Sequence, residues 1–279
     1  MPTTDATYQI GVIREWEKGF LEEDEFTRLI DSPSSEEALH VLADTPYGKW
    51  IDTDDVELSV FDSLVRHLQE IHEWLEDTVQ DERVLQFVSA RYDALNIATA
   101  LIERGRGVEE MGAKSKLGVI SPDVIQSTIW NNLSWEMLPE IWESFIREQL
   151  SSDYSKENIA IKAGLLASVW KKQLAFTPLM GELADISESW SSEDKTNRPY
   201  EEKETGVSAS VFELRRDEQI LNNIRKYRLD PIGFDPVIAF WYGKEVEARG
   251  LRILLSAKLS GVESTKLRGL QRSLYRTLV

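Results

Sequence analysis

The chain has 279 residues, of which 42% are hydrophobic and 29% are charged, so it can fill a core and is large for one compact domain. It has no cysteine, which excludes a disulfide framework and thiolate catalysis. Its formal net charge of −17 argues against binding to nucleic acid or anionic lipid, because phosphate groups repel an acidic protein.

No apolar run approaches the roughly 20 residues that a membrane-spanning helix requires. The N-terminus has neither a basic start nor an apolar segment typical of a signal peptide. We therefore expect a soluble protein that does not insert into a membrane directly.

The negative charge is concentrated in the first third of the chain. Residues 1–82 contain 22 acidic and 5 basic side chains, a net charge of −17. The net charge is −5 over residues 83–243 and +5 over residues 244–279. Solvated helix faces are the simplest interpretation of such an acidic segment.

The first half of the chain shows helical periodicity. A capping box at Ser34-Ser-Glu-Glu37 predicts the start of a short helix. Leucine and isoleucine at three- and four-residue steps predict an amphipathic helix from about Val56 to Thr78. Broad apolar coverage predicts a second, largely buried helix from about Arg83 to Arg104. Ser121-Pro122 then predicts a new helix with serine as N-cap, and further helices fit residues 135–150 and 155–185.

The second half contains a polar stretch followed by the strongest helix signal of the sequence. Residues 191–208 are polar and poor in apolar side chains, which is typical of a linker or long loop. Helix resumes near Val211. Asp235 as N-cap, Pro236 in the first turn and Gly261 at the end then delimit a helix with one apolar stripe. A final basic helix is predicted over residues 264–278, and the predicted fold class is all-α.

Motifs for catalysis are scarce. His67 and His72 lie five residues apart and therefore on different helix faces, so the metalloprotease spacing is absent and, with His40, they are interpreted as surface histidines. Neither a phosphate-binding Gly-x-x-x-x-Gly-Lys loop nor a Gly-x-Ser-x-Gly elbow occurs.

One acidic cluster, Asp52-Thr-Asp-Asp-Val-Glu57, could in principle hold magnesium diphosphate on a helical enzyme. Its spacing is one residue short of that motif, and its position before an amphipathic helix favours N-capping instead. No catalytic, cofactor-binding or metal-binding residue is predicted.

Asp93 and Asn96 stand three residues apart in the helix predicted to be largely buried. Asn and Asp are poor helix formers and are costly to bury without partners. Because no base, nucleophile or metal ligand accompanies them, a structural hydrogen-bonding role is favoured over a catalytic one.

The last long helix, opened by Pro236, carries a Lys-Glu-x-Glu-x-Arg-x-x-Arg run before a lysine and a closing glycine, at Lys244, Glu245, Glu247, Arg249, Arg252, Lys258 and Gly261. This run resembles the signature of the family of C-type (also called d-type) subunits of V/A-type ATPases. Glu213-Leu-Arg-Arg-Asp resembles the family's penultimate helix. Residues 36–47 resemble its short leucine repeat, Asp93 and Asn96 its Asp-x-x-Asn helix, and Gly118-Val-Ile-Ser121 the loop that follows.

The resemblance implies an all-helical, funnel-like protein of several lobes, with a reduced middle repeat, over residues 1–120, 121–209 and 210–279. It implies a non-catalytic adapter without cofactors, which joins the central-stalk subunits to the proteolipid ring on the cytoplasmic face of a membrane and transmits torque for H⁺ or Na⁺ transport. Glu245, Glu247, Arg249 and Arg252 are expected to form an internal salt-bridge network. The alternative is an all-helical scaffold or regulatory adapter unrelated to rotary ATPases.

Overall fold

A computed structural model describes residues 6–51, 56–108, 114–151, 159–193 and 209–276. Helices dominate these residues and no strand occurs among them, so the predicted all-α fold class is confirmed. None of the helices in these ranges is long and apolar enough to cross a membrane.

The chain divides into two compact units. Unit 1 consists of Met1–Gln80 and Tyr200–Val279, and unit 2 consists of Asp81–Pro199. The helices of unit 1 are α1 (Thr7–Trp16), α2 (Glu23–Asp31), α3 (Ser35–Ala43), α4 (Val56–Thr78), α10 (Ala209–Tyr227), α11 (Asp235–Leu259) and the short α12 (Ser264–Leu267). The helices of unit 2 are α5 (Glu82–Arg106), α6 (Pro122–Asn131), α7 (Glu140–Ser151), α8 (Ile159–Leu174) and α9 (Pro178–Glu193).

These units do not coincide with the predicted segments 1–120, 121–209 and 210–279. Unit 1 combines both ends of the chain, because α11 packs against α1, α3 and α4 as well as against α10 and α12. Periodicity along a sequence cannot show which distant helices pair. The division into three lobes and the funnel-like shape stay predictions.

Helix α11 forms the centre of unit 1. Every residue from Phe234 to Ala248 is buried, whereas the sequence predicted a single apolar stripe. Burial on all sides explains why the helix is apolar around most of its circumference. Further along, the leucines that face α2 and α3 belong to one core cluster, namely Leu251, Leu254 and Leu255.

Both ends of α11 follow from local chemistry. Pro236 lies in the first turn, but the N-cap is Phe234 rather than the predicted Asp235. At the other end Gly261 has a φ of +75°. Its N–H donates to the Lys258 carbonyl at 2.9 Å and the Val262 N–H donates to the Ala257 carbonyl at 3.0 Å. This pair of bonds is a Schellman motif, which glycine favours because it adopts positive φ without strain.

Unit 2 is built around α5, which packs closely against α8. The core cluster contains small side chains from both helices, which allow close approach of the backbones: Ala90, Ala94, Ala98, Ala163 and Ala167. Leu95, counted among the predicted apolar coverage, is instead 57% exposed. Gly107, with a φ of +70°, ends α5 two residues beyond the predicted boundary.

The predicted starts of α3 and α6, which both have a serine N-cap, are confirmed. The Ser34 hydroxyl accepts from the Glu37 N–H at 3.2 Å, and the Ser121 hydroxyl accepts from the Asp123 N–H at 3.3 Å. Helix α4 spans the predicted residues. Local side chains decide these boundaries, so a sequence pattern can find them.

Three predicted helices were wrong. The one expected over residues 135–150 is a 3₁₀ turn, Trp135–Met137, followed by α7. The one expected over residues 155–185 is divided into α8 and α9, because Pro178 begins a new helix and disfavours helical backbone in the residue before it. The final helix expected over 264–278 is only α12 and a 3₁₀ turn, Arg268–Leu270. Of the polar stretch 191–208, residues 191–193 belong to α9 and the rest lies outside the described residues.

Candidate functional site

A buried ion-pair cluster at the centre of unit 1 contains two of the charged residues singled out in the sequence. Glu247 Oε1 accepts from Lys244 Nζ at 2.9 Å and from the Tyr47 hydroxyl at 2.6 Å, and its Oε2 accepts from the Leu21 N–H at 2.8 Å. Lys244 Nζ also donates to the Gly19 carbonyl at 2.7 Å. We call these side chains and backbone groups the Lys244 network.

The Lys244 network is held in a dry, aromatic environment. Lys244 is 1% exposed, and its ammonium group lies 4.0 Å from the centre of the Phe20 ring. Burial lowers the pKa of Lys244, and attraction to Glu247 opposes that effect. Burial and Glu247 together raise the pKa of Tyr47 well above its ordinary value. Such a network stabilises the fold only while both charges are present, because a lone buried charge is strongly destabilising.

A second cluster, the Asp217 network, links α10, α11 and the C-terminal tail. Asp217 is fully buried and accepts from Arg249 Nη2 at 2.8 Å and from Arg272 Nε at 2.9 Å. Arg249 also pairs with Glu245 at 2.9 Å. Burial disfavours the ionised form of Asp217, but attraction to Arg249, Arg216 and Arg272 outweighs burial and lowers the pKa.

The C-terminal tail is fixed by this network and by an aromatic stack, which explains why it does not continue as a helix. The Tyr275 ring stacks on Phe20 with the ring centroids 4.4 Å apart. It also lies against Gly243, where a Cβ would come within 2.7 Å of Tyr275 Cδ2. Together with the Arg272–Asp217 pair, these contacts favour an irregular backbone over residues 271–276.

Arg252 differs from the other charged residues of α11. It is exposed, and no hydrogen bond or ion pair joins it to any residue in the described ranges. The single network expected from the sequence is therefore two: Glu247 belongs to the Lys244 network, Glu245 and Arg249 belong to the Asp217 network, and Arg252 belongs to neither. The assignment of these residues and of Lys244 to a family motif stays a prediction.

In unit 2, Asp93 and Asn96 fix the loop between α5 and α6. Asn96 Nδ2 donates to the Ser115 carbonyl at 2.8 Å, and Asn96 Oδ1 accepts from the Ser115 N–H at 2.9 Å. Asp93 Oδ1 accepts from the Ile120 N–H at 3.0 Å. A Cβ on Gly118 would lie 2.4 Å from Asp93 Oδ1, so the loop approaches the helix as closely as glycine allows.

We call this arrangement the Asp93 clamp, formed by Asp93, Asn96 and the backbone of residues 115–120. Burial raises the pKa of Asp93 to about 7, although the backbone N–H groups of Ile120 and Val119 favour the carboxylate. Both polar side chains thus have the partners that burial requires. Their place in a family motif stays a prediction.

The histidines do not all lie on the surface as predicted. His40 is exposed, but His72 is 1% exposed and packs edge-on against Trp241, with ring centroids 5.6 Å apart. Half-buried His67 contacts Tyr47. Burial lowers the pKa of His67 to about 3, with smaller contributions from nearby lysines, and lowers that of His72 to about 4. The correction arises because both of the α4 faces that carry these residues are covered in unit 1, one by Tyr47 and the other by Trp241.

Metal and acid–base chemistry find little support in the described residues. No group of three or more His, Asp or Glu side chains within these ranges is placed to hold a metal ion. Of the acidic cluster, Asp52, Asp54 and Asp55 lie outside the described residues, and its capping role stays a prediction. The geometry of the two networks and the clamp is suited to holding backbone segments together.

Sequence reasoning missed Tyr47, Asp217 and Arg272 as members of the networks. Tyr47 lies 200 residues before its partner Glu247, Asp217 lies 32 residues before Arg249, and Arg272 lies 55 residues after its partner Asp217. A usable signal was present nonetheless. Lys244, Glu245, Glu247 and Arg249 point to different sides of an otherwise apolar helix, and charges on every side of a buried helix require partners on several neighbours.

Comparison with known proteins places these features in a family. The profile described as ATP synthase (C/AC39) subunit matches residues 10–166, which is more than half of the chain. The matched range includes the Asp93 clamp and the N-terminal side of the Lys244 network, whereas α11 lies outside it. No curated protein matches the chain. On the extent of the profile match, the chain belongs to the C/AC39 family of V/A-type ATP synthase subunits.

Proposed function

We propose that the chain is a non-catalytic central rotor adapter of a V/A-type ATPase, located on the cytoplasmic face of the membrane as a peripheral component. It joins the central-stalk subunits to the proteolipid ring and transmits torque, so that ATP turnover is coupled to H⁺ or Na⁺ movement. Family membership supports a role as a structural subunit of such a complex. It also argues against a helical scaffold unrelated to rotary ATPases.

The Lys244 network is the observation that carries this proposal. A protein that transmits torque must resist twisting, and its helices must therefore be fixed to one another at fixed angles. The network joins α11 to backbone and side chains 200 or more residues earlier in the chain. Because burial excludes water from these bonds, the helices cannot slide without exposing or unpairing charge.

The distribution of charge supports a basic partner surface. Membrane proteins concentrate Lys and Arg in their cytoplasmic loops. The first 82 residues carry a net charge of −17 and would be attracted to such a rim. Binding that depends on this attraction weakens as salt rises from ~0.05 to ~0.5 M, because exposed charges are screened.

The direct test is co-purification followed by coupling measurements. The tagged full chain is expected to retain central-stalk subunits and the proteolipid ring, and to do so less at high salt. In the reconstituted complex, Glu247→Gln is expected to lower the number of ions moved per ATP hydrolysed while the catalytic subunits still hydrolyse ATP. Failure of the wild-type chain to retain any ATPase subunit would overturn the proposal.

A further inference from the structure

A cleft in unit 1, which shares Gly19 and Lys244 with the Lys244 network, combines aromatic rings with carboxylates. Its volume is about 660 Å³, and its walls come from α1, α4, α11 and the turn at Pro46–Trp50. Trp16 and Trp74 form part of its floor, with ring centroids 4.8 Å apart, and Phe240 lies 6.1 Å from Trp16. We call this feature the Trp74 cleft.

The rim of the Trp74 cleft is acidic. The carboxylates that line it are Glu15, Glu70, Glu73 and Asp77, against the two lysines Lys49 and Lys244. Both lysines are already neutralised locally, since Lys49 pairs with Glu70 and Lys244 pairs with Glu247.

Two rim carboxylates remain available for a ligand. Glu73 and Asp77 are exposed, and neither forms an ion pair with a residue in the described part of the chain. They lie four residues apart on α4, where like charges repel. Burial raises the pKa of neighbouring Glu76, and the negative charges of Glu73 and Asp77 raise it further. The electrostatic field at this part of the rim is therefore negative. A cation bound between Glu73 and Asp77 would relieve their repulsion.

Aromatic faces beside carboxylates are the chemistry that recognises an ammonium or guanidinium group. The negative face of an indole attracts a cation, and a carboxylate accepts its hydrogen bonds. From this charge complementarity we propose that the Trp74 cleft docks a lysine- or arginine-bearing segment of a partner protein. The inference that this partner is another component of the rotary ATPase rests on the proposed function. The inference that the cleft binds a basic segment does not, because it rests on the side chains that line the cleft.

The experiment uses the full chain and acetylated, amidated hexalysine as the probe, with binding measured by titration calorimetry at ~0.05 M salt. Replacing both free carboxylates, Glu73→Gln with Asp77→Asn, is expected to weaken binding about five- to tenfold. The matched control is Asp44→Asn with Asp62→Asn, which removes two exposed carboxylates of unit 1 outside the cleft. The control is expected to change the dissociation constant less than about twofold.

A second variant tests the aromatic contribution. Trp74→Leu is expected to weaken hexalysine binding about two- to fivefold, with circular dichroism used to check that it folds. Should Trp74→Leu fail to fold, the paired carboxylate variant on the exposed rim still decides the question. Equal affinities of that variant and its control for hexalysine would overturn the proposal.

Two further outcomes distinguish this inference from the proposed rotor function and from the binding of a lipid headgroup. If no ATPase subunit co-purifies but hexalysine binding still depends on Glu73 and Asp77, the rotor role fails and the basic-segment site stands. If hexalysine does not bind, but phosphatidylcholine vesicles co-sediment with the chain in a manner that depends on the same two carboxylates, the cleft recognises a lipid headgroup and the proposal is overturned.

Discussion

The two compact units both bury polar side chains, but they satisfy them in different ways. In unit 1, the Lys244 and Asp217 networks pair buried charges with opposite charges, although buried Lys258 donates to the carbonyls of Ile30 and Ser32. In unit 2, Asp93 and Asn96 meet backbone groups of a loop, and no opposite charge in the described ranges is among their hydrogen-bond partners. Unit 1 therefore depends on side chains remaining in pairs, whereas unit 2 depends on one loop remaining at close range.

The difference also affects how each unit responds to protons. A buried carboxylate with no cation beside it is easier to protonate, and burial raises the pKa of Asp93 although its N–H partners oppose the rise. Burial makes a histidine harder to protonate, and the pKa values of His67 and His72 fall. The units are consequently expected to respond to acid with opposite sign.

The largest expected effect is loss of one charge from the Lys244 network. Glu247→Ala leaves Lys244 buried without its ion-pair partner and is expected to reduce the free energy of unfolding of unit 1 by about 3–5 kcal/mol. Urea unfolding followed by ¹⁹F NMR of fluorotryptophan can report unit 1 through Trp241 and unit 2 through Trp142, since both rings are fully buried.

The double variant Lys244→Met with Glu247→Leu provides the control for that prediction. Removing both charges leaves no unpaired ion, so its loss is expected to be smaller than that of Glu247→Ala alone. A double variant less stable than the single one would show that packing, and not charge pairing, dominates at this position.

The pH dependence is expected to be the next largest effect, of order 3 kcal/mol per group between pH 4 and 8. In unit 1 the unfolded histidines titrate near 6.5 but the folded ones near 3 and 4. The unfolded state binds more protons in this window, so unit 1 loses stability as the pH falls below 6.5. In unit 2 the folded pKa of Asp93 is about 7 against 3.8 unfolded. The contribution of protonated Asp93 to the stability of unit 2 is complete below pH 3.8 and is lost as the pH rises through 7.

Two substitutions test the pH dependence of the stability of each unit separately. His67→Gln is expected to flatten the pH dependence of unit 1, whereas His40→Gln, at an exposed position, leaves it unchanged. Asp93→Asn is expected to remove the opposite slope from unit 2, because the amide oxygen still accepts from Ile120 but does not titrate. In the wild-type protein, the two tryptophan signals are used to measure the stability of each unit from pH 4 to 8. If both stabilities change with pH in the same direction, the predicted difference between the units is wrong.

A smaller effect is expected when the clamp loop of unit 2 is crowded. Gly118→Ala places a Cβ within 2.4 Å of Asp93 Oδ1, and the loop must move away, at a cost of about 1–3 kcal/mol. Gly164→Ala is the matched control, because no atom lies within 4 Å of its added Cβ inside α8. That control is expected to stabilise unit 2 by up to about 1 kcal/mol. Equal effects of the two changes in thermal unfolding would show that the close approach is unimportant.

The smallest effect is expected at the exposed end of the charged run. Arg252→Ala is expected to change the free energy of unfolding by less than about 0.5 kcal/mol, because the side chain is exposed and away from the buried networks. The contrasting variant is Arg249→Ala, which leaves Asp217 and Glu245 without this partner. Its loss of unfolding free energy is expected to be several times larger than that of Arg252→Ala. Comparable losses in urea unfolding would mean that Arg252 has a partner beyond the described residues.

Much of the fold follows from local patterns. The bounds of α4, the serine caps of α3 and α6, and the glycine end of α11 depend on residues within a few positions of one another. The burial of Asp93 and Asn96 was also predictable, because their helix is apolar around them. The break at Pro178 could have been predicted and was missed, since proline is a local signal.

The sequence by itself determined the fold class, the helix ends that carry a serine cap or a closing glycine, and the charges that would need partners. Tertiary structure alone decided which partners they have: Tyr47 and Leu21 for Glu247, and Asp217 for Arg249. It also decided that α11 is buried on every side and that the C-terminal tail does not form a helix. The physical reason is range, because capping and periodicity act within one or two turns, whereas pairing a buried charge joins segments brought together only by folding.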